Sequence, residues 1–394
     1  MKKYVLLILF CLLGTMISAQ ERDKALEQAE ASSKIAGYSL SKVQRWLYEK
    51  ALPAIDKETG LYIADGHWNY RDTAADCYPF FTWAAWATDQ EVLNHEVRSV
   101  LDAEQQLCNH VDRIPVPYDL KEKKKIILDY DEMMFQASEY VKDGLIAIVE
   151  VTGDDEWLDR MRAIEDDIWK HARIQTKFGK IPSKNVEVNG EQIQALTRLF
   201  TMTGEEKYLH NAERLADYYL SDMEWVPSRL RDHGCEIIGG LGLLLAVESV
   251  HYPEKANAYA ARIKTMFETI LKKGTNKHGF MYDQMPSNNS KDTQKLSDGW
   301  GYNYVGFLDY DMATENEYFT PFVKNVLDNI MNPAYRNYRW ERSIDGFADS
   351  IEGALYLLNR IPVANGFTWV EREMANHVVF ADAPLKTALI SGEP

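Results

Sequence analysis

Apolar residues along this chain fall into helical stripes that break and resume in pairs. Residues 144–158 read GLIAIVEVTGDDEWL and residues 194–209 read QALTRLFTMTGEEKYL. Both run helix, Thr-Gly, acids, then an aromatic-Leu pair, and their Thr-Gly breaks stand 51 residues apart, from Thr152 to Thr203. Fainter copies break near Thr88-Asp89, Tyr252-Pro253, Thr314-Glu315 and Val363-Asn365. A single helix pair cannot bury its own apolar face, so pairs repeated at this spacing must pack on their neighbours. Six copies are the number that closes a ring. The pattern therefore predicts an all-α fold, an (α/α)6 toroid of six inner-outer helix pairs at roughly 72–105, 131–171, 190–222, 235–272, 300–332 and 348–377. A helical arm over 25–52, stopped by Pro53, should precede the ring, with a short extended stretch over 61–70.

Loop lengths add an asymmetry. The segments leading into inner helices are long and polar, as at 121–129 and 276–299, whereas the breaks inside each pair are short. Long loops then gather on one face and form a cleft there. Each predicted inner helix also opens on polar residues. In order they are Arg71, Asp72 and Asp76; Asp129, Asp131 and Glu132; Asn189, Glu191 and Gln192; Arg231, Asp232, His233 and Glu236; Asp298, Trp300, Tyr302, Asn303 and Tyr304; and Asp345, Asp349 and Glu352. One such acid is an ordinary helix cap. Six clusters converging on one face point to a site.

The first twenty residues carry a different pattern. Lys2 and Lys3, an apolar run from Tyr4 to Leu13 and the small-residue end Ile17-Ser18-Ala19 have the form of a secretory signal peptide over 1–19. Residues 20–394 are then one toroid domain, periplasmic or secreted, with no later run long enough for a membrane span. Of four cysteines, Cys77, Cys108 and Cys235 remain after cleavage. An odd count argues against a disulfide framework and for small core residues. The acidic excess, 60 Asp+Glu against 44 Lys+Arg, disfavours nucleic acid as a partner. It leaves room for an anionic sugar in a locally basic cleft. Ten Trp and 22 Tyr suit sugar stacking and helical packing equally.

Three clusters carry the strongest chemistry. In Asp129-Tyr-Asp-Glu-Met-Met134, three acids lead into an apolar helix, where desolvation and like charge would raise a carboxyl into the range of a general acid. His233 and Glu236 share one helix face, beside Arg231. Asp298, Trp300, Tyr302 and Asn303 offer hydrogen bonds, a phenol and stacking faces. Asp131, His233, Trp300 and Asp349 are expected to line one cavity, with Asp349 the nearest to a plain cap. No dinucleotide fingerprint, P-loop, nucleophile elbow or zinc motif occurs. No cofactor or metal ligand set is therefore assigned, and only an oxygen-ligand ion such as calcium stays open.

The helix-Thr-Gly-acid-aromatic-Leu repeat over about 60–375 resembles that of (α/α)6-toroid carbohydrate-active enzymes, in particular the unsaturated glucuronyl and rhamnogalacturonyl hydrolases. By that resemblance Asp131 matches the family's catalytic Asp. The family's Trp-x-Arg-Gly-x-Gly-Trp run has a partial counterpart at 298–302, without the Arg. The resemblance implies an exported glycoside hydrolase acting on uronate-containing oligosaccharides. Asp131 would be the acid/base, with His233 and Glu236 beside it. Asp76, Asp129, Arg231, Asp298, Trp300, Tyr302, Asn303 and Asp349 would hold the substrate. A polysaccharide lyase on the same ring, with His233 as base and Tyr302 as acid, and a non-catalytic glycan-binding toroid are the alternatives.

Overall fold

The computed structural model describes residues 2–63, 66–231, 233–286, 295–335, 338, 340 and 344–375; for 2–21, 233, 344 and 345 it describes the backbone alone. A helix Lys2–Trp46 runs on through a wider turn Leu47–Ala51 and a short turn Leu52–Ala54 that holds Pro53. Six helix pairs follow. The inner helices occupy 72–88, 130–152, Val186–Thr203, His233–His251, Trp300–Ala313 and Ile344–Leu358. The outer ones occupy 90–108, Asp155–Lys170, Glu206–Leu220, Pro253–Lys273, Thr320–Asn329 and Ala364–Glu373. The six expected breaks fall where the helices change direction, and the all-α toroid holds. Among the described residues, strands are confined to loops. One antiparallel pair joins Asn109–Val111 to Ile114–Pro115, another joins Ile174–Thr176 to Gly179–Ile181, and a small sheet orders His67–Trp68, Tyr118–Asp119 and Lys124–Lys125. The two hairpins lie in the long segments that lead into the second and third inner helices.

The Thr-Gly repeat has a local cause. Gly153 and Gly204 take the left-handed conformation, with φ of 64° and 71°, and end their helices. The Thr hydroxyl just before each accepts the backbone N–H of the following acid, Asp154 at 3.3 Å and Glu205 at 3.2 Å. Asp154 then caps the outer helix by accepting from Glu156 N. Trp157 and Tyr208, the aromatics of the repeat, are wholly buried, and Trp157 donates its indole N–H to Tyr78 Oη at 3.1 Å. The repeat thus encodes a reversal and an anchor.

Inner helices are apolar nearly all round because they are flanked on every side except the lumen. The fourth is the clearest case. Contrary to the expectation of no such run, Gly234–His251 has mean hydropathy 1.4, enough in length and composition to cross a membrane, yet 67% of it is buried within the ring. Neighbouring inner helices meet at glycines. A Cβ on Gly301 would stand 2.4 Å from the Gly353 backbone, and one on Gly242 2.5 Å from Gly306 O. Outside the lumen, Arg160 and Glu104 form a buried ion pair on the outer layer, completed by Tyr70 Oη donating to Glu104 at 2.6 Å. Cys77, Cys108 and Cys235 are buried.

Candidate active site

Several of the expected site residues do structural work instead. Asp129 is the N-cap of the second inner helix, accepting from Glu132 N at 3.0 Å. Asp131 sits in the first turn, which projects past the packed layer. Its side chain is 76% exposed and pairs with Arg173 at 3.6 Å. The desolvation expected of a general acid is therefore missing at Asp131. Trp300 has no exposure. It packs edge-on against Phe280, with ring centres 5.4 Å apart, and near Trp340 at 6.4 Å, so it plugs the ring rather than offering a stacking face. Asn303 is buried and donates to Leu230 O at 2.7 Å and Gly299 O at 3.1 Å, tying a loop to the helix. Asp298 is buried, 3.4 Å from Arg231 Nε, and accepts from Gly299 N. The expectation that Asp131, His233, Trp300 and Asp349 line one cavity fails for Asp131 and Trp300. The side chain of His233, with Asp232, Arg339, Arg342 and Asp345, lies outside the described residues.

What converges instead lies deeper along the inner helices. Glu236, buried on the fourth, accepts from Lys142 Nζ at 2.9 Å and from the Gln194 amide. Lys142 also pairs with Asp143 at 2.6 Å. Burial alone would pull the Lys142 ammonium down, but the carboxylates of Asp143 and Glu236 outweigh it and hold it well above its ordinary value. Burial pushes the Glu236 carboxyl up, against the pull of Lys142. Glu139, Glu187 and Glu191 are buried beside this group, with an oxygen from each within 4.8 Å of the others. Burial, reinforced by Asp143 and Asp76, raises Glu139 well above the usual carboxyl range. Burial and Glu139 do the same to Glu191.

Across the lumen, Tyr302 Oη donates to Glu352 at 2.9 Å and lies 3.4 Å from Asp349. Tyr356 Oη donates to the same Glu352 at 3.0 Å. Burial and these carboxylates push the Tyr302 phenol well up. Tyr356 feels the charges of Lys142 and Arg198, which links this side to the other. Electrostatic influence and hydrogen bonds thus link polar side chains of all six inner helices: Asp76 acts on Glu139, Lys142 and Glu236 act on Glu191, and Lys142 acts on Tyr356, which shares Glu352 with Tyr302. Of the sequence-based assignments, Glu236, Asp76, Tyr302 and Asp349 lie here.

Glu139, Lys142, Asp143, Glu187 and Gln194 were missed by reading helix starts. The available signal was charge inside an otherwise apolar helix, as in the stretch from Glu139 to Leu145, and the i, i+4 pair Glu187 and Glu191. A separate cavity of about 400 Å³ lies beside the start of the second inner helix, lined by Tyr130, Met133, His110, His171 and Arg173 among others. There the Arg173 guanidinium lies 3.4 Å from the centre of the Tyr130 ring.

Solved structures share the ring. A D-mannose isomerase matches with TM-score 0.51 and 16% identity, over 75% of this chain and 84% of that one. The cellobiose 2-epimerase from Spirochaeta thermophila DSM 6192 matches with TM-score 0.50 and 14% identity, over 74% and 84%. A GH127 β-arabinofuranosidase matches with TM-score 0.46 and 13% identity, over 77% of this chain and 48% of that one. At these identities the first two establish the toroid fold. No family model and no curated protein matches the sequence.

Proposed function

We propose that this chain is a carbohydrate-active enzyme, an exported glycoside hydrolase whose substrate enters the lumen from the loop face. The observation that carries the reading is two polar pairs from four different inner helices, Glu236 with Lys142 and Tyr302 with Glu352, with the Lys142 charge felt at Tyr356 beside the second pair. Glu236 takes the acid/base role first assigned to Asp131. It is buried, and Lys142 and Gln194 hold it in one orientation. Glu352, exposed and steadied by two phenols, is the carboxylate that positions water or sugar hydroxyls.

The substrate class we favour is the uronate-containing oligosaccharides, including unsaturated ones. Arg71 and Arg231, both at inner-helix starts, are the groups able to meet a sugar carboxylate at the mouth. Hydration of an unsaturated uronide would need one acid/base carboxyl rather than the pair used in ordinary displacement. Purified protein should release reducing ends, or bleach the conjugated double bond, on at least one of a panel of neutral and unsaturated uronide oligosaccharides. Glu236→Gln should lower kcat by about 10²- to 10⁴-fold, while Asp131→Asn stays near the parent rate. Full activity in Glu236→Gln would reject the assignment. Conversion of free mannose or cellobiose to an isomer, with no bond cleaved, would replace hydrolase by isomerase. Export is checked separately: secreted protein should begin at Gln20 by mass spectrometry.

A further inference from the structure

We propose that Glu139, Glu187 and Glu191 hold one divalent cation, calcium by preference, inside the ring. Two independent observations meet there. The first is geometric. An oxygen from each carboxylate lies within 4.8 Å of the other two, so one point can stand no more than about 2.8 Å (4.8 Å divided by √3) from all three. That bound admits the roughly 2.3–2.6 Å of calcium–oxygen bonds, and calcium's variable geometry suits donors fixed on two helices better than the strict octahedron of magnesium.

The second is an unmet demand. Glu191 is 1% exposed, and its Oε2 is buried without a hydrogen-bond partner. A carboxylate taken out of water without a partner is costly, and a cation against that oxygen would offset the cost.

The surroundings favour a cation over a further side chain. Asp76, Asp143 and Glu236 add negative charge around Glu139 and Glu191. Lys142 acts on both as a positive group, and its ammonium is already bonded to Asp143 and Glu236. Among the described residues the three donors are all carboxylate oxygens, with no thiolate or imidazole in the set, which selects a hard ion over zinc or copper. Helical spacing supplies the frame. Glu187 and Glu191 are four apart on one face of the third inner helix, and Glu139 reaches across from the second. The ion would bridge two neighbouring inner helices and offset part of this negative charge.

The test uses the full chain freed of metal by EGTA and is read without turnover, so its outcome is independent of the hydrolase reading. Calcium titrated in a calorimeter should bind once per chain. It should raise the melting temperature by about 3 °C or more at saturating concentration, with magnesium giving a smaller rise. Glu191→Gln, which keeps shape while removing charge, should fold without calcium and lose both the binding heat and the rise. Asp131→Asn, altering an exposed acid, should keep both. No heat and no shift with calcium, magnesium, manganese or zinc would overturn the site, and so would undiminished binding in both Glu191→Gln and Glu139→Gln.

Discussion

Glu165 shows how a single buried carboxyl ties this fold to pH. It lies on the second outer helix, where Gln192 of the third inner helix donates to Oε1 at 2.8 Å, while Oε2 is buried with no partner. Gln192 is itself held by Ser138 and Trp169. Burial pushes the Glu165 carboxyl up to about 8, with Gln192 pulling the other way and Asp166 adding a little. The folded chain therefore keeps a proton that the unfolded chain loses near its ordinary value of 4.5. Below that pH the two states are alike. As pH rises toward 8 the folded state loses ground, by on the order of a few kcal/mol in all. Glu165→Gln should flatten the melting-temperature profile between pH 5 and 8 and raise stability at pH 8. An unchanged slope in thermal melts would show that Glu165 is not the group responsible. Gln192 was visible in the sequence as part of a polar cluster, but its buried partner was not. Reading the start of a helix finds caps such as Asp129. It overlooks charges two or three turns further in, such as Glu139 and Lys142, whose surroundings are set by other helices far away in sequence.

At the scale of helices, the ring was legible because the information is local. Thr-Gly stops a helix, the next acid starts another, and the aromatic fixes the second onto its neighbours. That grammar needs no long-range knowledge, so the six pairs were placed within a few residues. The same repeat says nothing of the site: it specifies packing, and the Asp131 assignment rested on the acid cluster at 129–132 and on the family resemblance. Glycines add a second rule that the sequence held but periodicity did not expose. Gly306→Ala would set a methyl 2.5 Å from Ile238 O on the adjacent inner helix, backbone that cannot swing aside. We expect a loss of about 1–3 kcal/mol or more, seen as a lower midpoint in urea unfolding. By contrast Gly66→Ala, with open space around it but φ of 81°, should cost only local backbone strain. Equal effects at the two positions would argue against close packing as the cause.

For the molecule as a whole, the arm and the ring separate by burial. Residues 22–42 are exposed almost throughout, and packing onto the core begins at Val43, Trp46 and Leu47. A chain starting at Lys42 should melt within about 1 °C of one starting at Gln20; a drop of several degrees would mean that the arm braces the ring. The walls of the lumen have a dynamic consequence. Helices that touch backbone to backbone at Gly301–Gly353 and Gly242–Gly306 cannot slide or roll without collision. Widening of the barrel is therefore closed as a route for admitting a bulky ligand. Accommodation must fall to the connecting segments at the rim. In hydrogen exchange, amides of the inner helices should stay protected whether or not a sugar is bound, while those around 109–128 and 274–286 change. Binding would then be felt as a tightening of the rim around an unmoving frame.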